Sequence, residues 1–311
     1  VRNLLYGVKY AENFGHSMNI GYAPDIFGQH AYLPSIYSRF GMDYSIFQRG
    51  VYNEQVANNL NFLWKAPNGE SIKTNNIFYG YGPGKFLTAE KNYTSQRLFP
   101  ILDELVNKNQ DTDAILLPAG GDQVIINKKF PETVKQLNEL DSNYEFLLSD
   151  YETFMETAWN ENHFPDTISG ELIACQKSRI HNTCRSERYD IKHLNFEVEE
   201  LLIHELEPLC LIGQQHGIKF PQNWLDQIWK KIFDSQAHNG IGASNSDDAN
   251  NDIIVRLTSA LRQVKDLINL VKRQLVGAIS SQLGTEDVVT LFNTDIKKQT
   301  FSSELVLFSS K

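Results

Sequence analysis

The apolar residues change their spacing once along this chain, near residue 165, and that change limits what the chain can fold into. Before it, apolar runs of strand length alternate with helical patterns. The first residues, Val1-Arg2-Asn3-Leu4-Leu5, read as an amphipathic helix. Met18 to Tyr22 and Tyr44 to Phe47 read as strands. Asn61 to Lys65 and Ser71 to Phe78 flank Pro67-Asn68-Gly69, and Asn-Gly between two such runs predicts a hairpin. Ala114-Ile115-Leu116-Leu117 and Tyr144 to Leu148 are two further expected strands. Pro131 opens a helix running to Leu140, at a first-turn position where the missing N–H costs nothing. Ser149 with Glu152 forms a capping box for a helix over Tyr151 to Asn160. Strands alternating with helices imply an α/β layer with a mostly parallel sheet.

Beyond residue 165 the period is 3.6. Glu187 to His216 carries Ile191, Leu194, Val198, Leu201, Leu202, Leu206 and Leu209 on one stripe, with Pro208 expected to kink it and Gly217 to end it. Pro221 to Ser235 and Asp252 to Ile279 are two more helices, and short connections among three helices imply an antiparallel bundle. From Asp287 the chain turns Val/Thr/Leu/Phe-rich, so strands are expected from Val288 to Phe308. The expected fold class is therefore α/β plus all-α: an α/β domain at 1–165, a three-helix bundle at 166–282 and the start of a β domain at 283–311.

Composition narrows the partners. With 29 basic against 38 acidic residues, the net charge is -9, and no basic run exceeds a Lys-Lys pair. Such a surface repels nucleic acid and anionic membrane. No apolar stretch reaches the ~20 residues that span a bilayer. Cys175, Cys184 and Cys210 cannot all pair within the chain, and without a regular spacing they read as free thiols of a reducing compartment, which points to the cytoplasm. A homo-oligomer stays among the partners left open.

In parallel α/β folds, ligands bind beyond the carboxyl ends of strands. Two such loops carry an Asp among glycines: Gly21-Tyr22-Ala23-Pro24-Asp25-Ile26-Phe27-Gly28 and Pro118-Ala119-Gly120-Gly121-Asp122. Two carboxylates on one face are what glycoside hydrolysis requires, one ionised and one holding a proton for the departing oxygen. The plainer reading is that each Asp forms an Asx-turn. Gln236-Ala237-His238-Asn239-Gly240 puts a His beside a Gly-rich turn, which suits a ligand-binding residue or, more simply, a His at a helix end favoured by the dipole. The cluster Phe78-Tyr79-Gly80-Tyr81-Gly82 either lines a sugar site, with Tyr79 as the candidate ring, or packs at a strand end. Ser246-Asp247-Asp248 reads as the cap of the third bundle helix.

Taken in order, Arg2-Asn3-Leu4-Leu5, the Gly21–Gly28 segment, Leu33-Pro34-Ser35-Ile36, Arg49-Gly50, Gly121-Asp122 and Gln236 to Gly242 strongly resemble the glycoside hydrolase family 38 α-mannosidases. The resemblance implies a seven-stranded, parallel, barrel-like α/β catalytic domain, incomplete here, then a three-helix bundle and β-sandwich domains. It implies a retaining exo-α-mannosidase using a divalent metal, usually zinc. By the same resemblance Asp25 is the nucleophile and a metal ligand, Asp122 the general acid/base and His238 a metal ligand. Phe27 lines the sugar subsite and Arg49 lies near the sugar. Asn239 stands where many members have an Asp that contacts sugar hydroxyls.

One departure is large. The His-x-Asp segment that supplies two more zinc ligands in the family does not occur, so the resemblance implies an internal stretch of a longer enzyme, inactive by itself. The substrate implied is an α-mannoside. Alternatives are a mannosylglycerate or 6-phospho-mannosylglycerate hydrolase of the same family, and a non-enzymatic carbohydrate-binding or interaction module.

Overall fold

The computed structural model describes residues 1–140, 142–160, 164–284, 289–300 and 302. Its contacts divide the chain into two compact units, Val1–Asn182 and Thr183–Lys311.

The first unit is built on one five-stranded sheet in the order β1-β2-β4-β3-β5, from Ile20–Ala23 (β1), Tyr44–Phe47 (β2), Asn61–Lys65 (β3), Ser71–Asn76 (β4) and Thr167–Ser169 (β5). β1, β2 and β4 run parallel, with Ile20 opposite Tyr44 and Tyr44 opposite Lys73. β3 and β4 form the expected antiparallel hairpin, and β5 joins parallel to β3. Every residue of β2 is buried, as a strand covered on both faces must be. Alternate side chains then feed two cores. Phe47 packs with Phe62, Trp64 and Tyr37, which comes from the helix Leu33–Arg39. Ile46 packs with Ile20, Met155 and Trp159, the last two from a helix at Tyr151–Asn160. Helices thus cover both faces of the sheet.

Several sequence expectations meet this architecture differently. Ala114 to Leu117 joins no ladder. Its alternation survives, since Ile115 and Leu117 face one core while Ala114 and Leu116 face the other. Tyr144 to Leu148 is also not a strand. The Asn138 side chain replaces a ladder partner there, donating to the Phe146 carbonyl at 2.8 Å and accepting from its N–H at 2.7 Å. The cap of the helix at Tyr151 is Asp150, whose carboxylate accepts from Thr153 N–H at 2.8 Å, and not Ser149. Glu152 turns away and instead accepts from the Asn19 backbone N–H at 2.6 Å. Five strands are paired among the described residues, one of them antiparallel, where the resemblance implies an incomplete seven-stranded parallel barrel. The first unit runs on to Asn182 because β5 completes its sheet.

The second unit is helical over most of its length. Helix Tyr189–Leu201 passes through a π-helical turn at Leu202–Leu206 into helix Glu207–Gln215. Pro208 cannot donate to the carbonyl four residues back, and the π-turn immediately before it absorbs that break where a kink is expected. Helix Gln222–Gln236 and the 37-residue helix Asp247–Leu283 complete the set, and the long helix packs on the other three. Ser246 caps it, its hydroxyl accepting from Ala249 N–H. The apolar stripes read from the sequence are the buried ones: Ile191, Val198, Leu202 and Leu206 against Ile228, Ile232, Leu257 and Val264. Residues 289–300 form no strand, and most of the expected β segment lies outside the described residues. Among the described residues no helix is long and apolar enough to cross a membrane. Cys175, Cys184 and Cys210 are unpaired thiols.

Gly50 follows β2 at φ +116°, and a Cβ there would lie 2.4 Å from the Leu172 carbonyl oxygen. Gly50→Ala is expected to cost at least ~2 kcal/mol of stability, from backbone strain plus steric overlap. Urea unfolding with wild-type stability would contradict this packing.

Candidate active site

Because β1, β2 and β4 are parallel neighbours, their carboxyl ends share one edge of the sheet. Asp25 lies two residues past β1, Arg49 two past β2, and Tyr79 and Tyr81 a few past β4. Arg49 donates through Nε to Asp25 Oδ1 at 2.8 Å, and its Nη2 reaches the same oxygen. The two side chains are only 18% and 21% exposed, so the pair is less screened than a surface ion pair. Arg49 Nη1 also donates to the Arg179 carbonyl, tying the loop after β2 to the segment that ends the first unit. The guanidinium carbon lies 5.6 Å from the centre of the Phe27 ring, within cation–π range, and the His181 ring meets Phe27 edge-on at 5.0 Å. Asp25, Phe27 and Arg49 therefore form one group.

Asp122 joins it through Tyr81. The Tyr81 hydroxyl donates to Asp122 Oδ2 at 3.3 Å, and Asp25 lies close enough for its charge to act on the same phenol. Backbone bonds hold the two loops together: Gly120 N–H donates to the Tyr81 carbonyl at 3.2 Å, and Gly84 N–H to the Pro118 carbonyl at 2.8 Å. Gly121, at φ +133°, lets the chain turn just before Asp122. Burial, then the charges of Asp25 and Asp122, push the Tyr81 phenol above its ordinary pKa. It is a neutral donor between two carboxylates.

Tyr81 was not among the site residues expected from sequence. The signal was the aromatic cluster, but Gly80 at φ +77° breaks strand alternation between Tyr79 and Tyr81. Tyr79 gives its hydroxyl to Glu104, a partner outside the group, and burial followed by this bond raises its pKa to about 12. The Lys177 ammonium lies 4.5 Å from the centre of the Tyr79 ring.

His238 and Asn239 belong to the second unit. His238 is half-buried and opens a separate four-residue helical turn, His238–Ile241, rather than ending the helix before it. Asn239 is exposed, and its side-chain carbonyl accepts from the Ser244 hydroxyl at 3.1 Å. Among the described residues no three His, Cys, Asp or Glu side chains converge on a point that could hold a metal ion. The donor set present does not fit the zinc site implied by resemblance, since catalytic zinc takes about three protein ligands.

Comparison with known proteins bears on this arrangement. Residues 1–175 match the model of the glycosyl hydrolases family 38 N-terminal domain. A protein of Halalkalibacterium halodurans named "Putative mannosylglycerate hydrolase" is 24% identical over 308 residues, covering 94% of this chain and 34% of that protein. An α-mannosidase structure from Enterococcus faecalis superposes with a TM-score of 0.81 at 21% identity, over 89% of this chain and 32% of that one. A second Enterococcus faecalis structure, a protein in glycosyl hydrolase family 38, gives 0.69 at 19% identity, over 88% and 29%. At these identities the two structures speak for a shared α/β fold. The chain spans about a third of the length of each relative.

The position of Tyr81 is open to direct measurement. In an ultraviolet pH titration, the phenolate signal that Tyr81→Phe removes should develop only above the ordinary tyrosine value of ~10. A Tyr81 signal at or below that pH would rule out a hydroxyl held between two carboxylates.

Proposed function

The chain belongs to glycosyl hydrolase family 38, and on that premise we propose that its first unit carries the two carboxylates of a retaining α-mannosidase, Asp25 as nucleophile and Asp122 as general acid/base. The observation that supports this most is the single Tyr81 hydroxyl that donates to Asp122 while the charge of Asp25 acts on it. Two carboxyl groups that act on one hydroxyl are near neighbours, which favours the closer of the two spacings that glycosidases use. Retaining glycosidases hold their carboxyl groups ~5–5.5 Å apart, whereas inverting ones need ~6.5–9.5 Å to admit a water.

The reaction then runs in two balanced steps. The Asp25 carboxylate attacks the anomeric carbon, the bond to the aglycone oxygen breaks, and that oxygen takes the proton held by Asp122. The product is a mannosyl ester on Asp25. Next, water gives a proton to the Asp122 carboxylate while its oxygen attacks the anomeric carbon, and the ester bond to Asp25 breaks. Mannose leaves with its configuration retained, and Asp122 is protonated again. Arg49 holds Asp25 in place through its charge-assisted bonds. Phe27 offers an apolar face to the sugar. A divalent metal, zinc first among them, is part of the family's chemistry. It would need donors beyond Asp25 and His238, and no step above runs through it.

A second reading is hydrolysis of mannosylglycerate or its 6-phosphate. The Halalkalibacterium relative's name favours it, and so does exposed Lys177 beside Tyr79, a cation suited to an anionic aglycone or phosphate. Under either reading, the helices from Tyr189 to Leu283 correspond to the family's helical bundle and the residues beyond them to the start of its β domain. Three unpaired thiols fit a reducing compartment such as the cytoplasm.

In the intact protein, Asp25→Ala should abolish turnover of an aryl α-mannoside. Asp122→Ala should slow a poor leaving group far more than an activated one. Tyr81→Phe should lower kcat by about 10–100-fold. Proton NMR of the first-formed sugar should show the α-anomer; a β-anomer, or full activity of Asp25→Ala, would sink the assignment.

A further inference from the structure

The stripe of the helix Tyr189–Leu201 that faces its neighbours is apolar at Ile191 and Val198 and continues to Leu202 in the turn that follows, but position 195, in the same stripe, is Asn, and it is only 7% exposed. Lys192, Asn195 and Glu199 are spaced three and four apart, so they lie along one face of the helix. All three bond to the chain around His238. Lys192 Nζ donates to the Ile241 carbonyl at 2.8 Å and to the Glu187 carbonyl at 2.5 Å. Gln236 Nε2 donates to Asn195 Oδ1 at 3.1 Å and to Glu199 Oε1 at 2.9 Å. Asn195 Nδ2 closes the network on Glu199 Oε2 at 2.8 Å. The turn is bracketed on both sides, at Gln236 before His238 and at Ile241 after it.

The backbone is constrained as tightly. A Cβ on Gly240 would lie 2.5 Å from the Ser235 carbonyl oxygen. Ala243 takes a left-handed conformation at φ +58°, which a non-glycine residue adopts at a cost. The Asn239 carbonyl accepts from Ser244 N–H at 3.2 Å and from Asn245 Nδ2 at 2.7 Å. An apolar side chain at position 195 would continue the stripe and remove a buried amide that must be kept satisfied. Departures of this kind from a consistent pattern concentrate where a site has to be held in place.

We infer that Lys192, Asn195, Glu199 and Gln236 are positioning residues that fix the His238–Asn239 turn for ligand contact, an inference that rests on the family-based reading of His238 as a site residue. Their part is to hold the turn's backbone; they do not touch substrate.

The test compares Lys192→Met, Lys192→Arg, Asn195→Leu and His238→Ala in the intact protein, reading kcat and KM on an aryl α-mannoside together with the unfolding midpoint. Lys192→Met and Asn195→Leu should lower kcat/KM by about 10–100-fold, the usual effect of losing an outer-shell partner. The midpoint of Asn195→Leu should be unchanged or raised. Lys192→Arg, which can still donate to the Ile241 carbonyl, should recover most of the activity lost in Lys192→Met. Wild-type kcat/KM in both Lys192→Met and Asn195→Leu, losses that follow a lowered midpoint, or no recovery with Arg would overturn the clamp while leaving His238 in its role if His238→Ala is impaired. A fully active His238→Ala would overturn the underlying reading and the clamp together.

Discussion

Everything at the candidate site depends on β2 being paired in parallel on both sides. A strand of four buried residues, Tyr44–Phe47, has no solvent face and needs a ladder on each edge and a helical layer on each face. Parallel pairing with β1 and β4 sends three chain ends to one edge of the sheet, and the loops that leave it carry Asp25, Arg49 and Tyr81. The antiparallel β3 does not add to that edge in the same direction. It leads back through β5 to the segment at 170–182, whose Leu172 and Ala174 bridge Gln29 and Gly50 and whose Arg179 carbonyl receives Arg49.

A polar device ties this sheet to the helix Phe99–Asn107. Asn61, Asn75 and Asn109 are all buried; Asn75 donates to Asn61 at 2.9 Å, Asn61 to Asn109 at 3.2 Å, and Asn109 to the Leu105 carbonyl at 2.8 Å. A chain of amides through an interior is costly wherever a link is unmade, and Asn75 Oδ1 has no partner among the described residues. In return the chain fixes the register of the β3–β4 hairpin against the helix end, which a purely apolar contact would specify less sharply.

How much of this was legible in the sequence follows from where the stabilising partner sits. The hairpin at Asn68-Gly69, the helix opened by Pro131 and the stripes of the second unit are written in residues close together, and they form as read. Ala114–Leu117 and Tyr144–Leu148 have strand composition but depend on a distant edge to pair with. The first finds two cores and no ladder, and the second finds the Asn138 side chain. The choice between Ser149 and Asp150 as cap was decided by Asn19, which takes Glu152 and dismantles the expected box. At the site, resemblance picked out Asp25, Arg49 and Asp122. Tyr81 escaped because a single positive φ at Gly80 changes which ring reaches the carboxylates.

The shared phenol has one further implication. A hydroxyl owns one proton and can give it to one acceptor at a time, while its oxygen can still receive a bond. Placed between two aspartates, it cannot treat them alike: it donates to Asp122, and an ionised Asp25, which has no proton to give, cannot bond the same oxygen in return. Two side chains of the same chemical type are therefore made unequal by a third that belongs to neither loop.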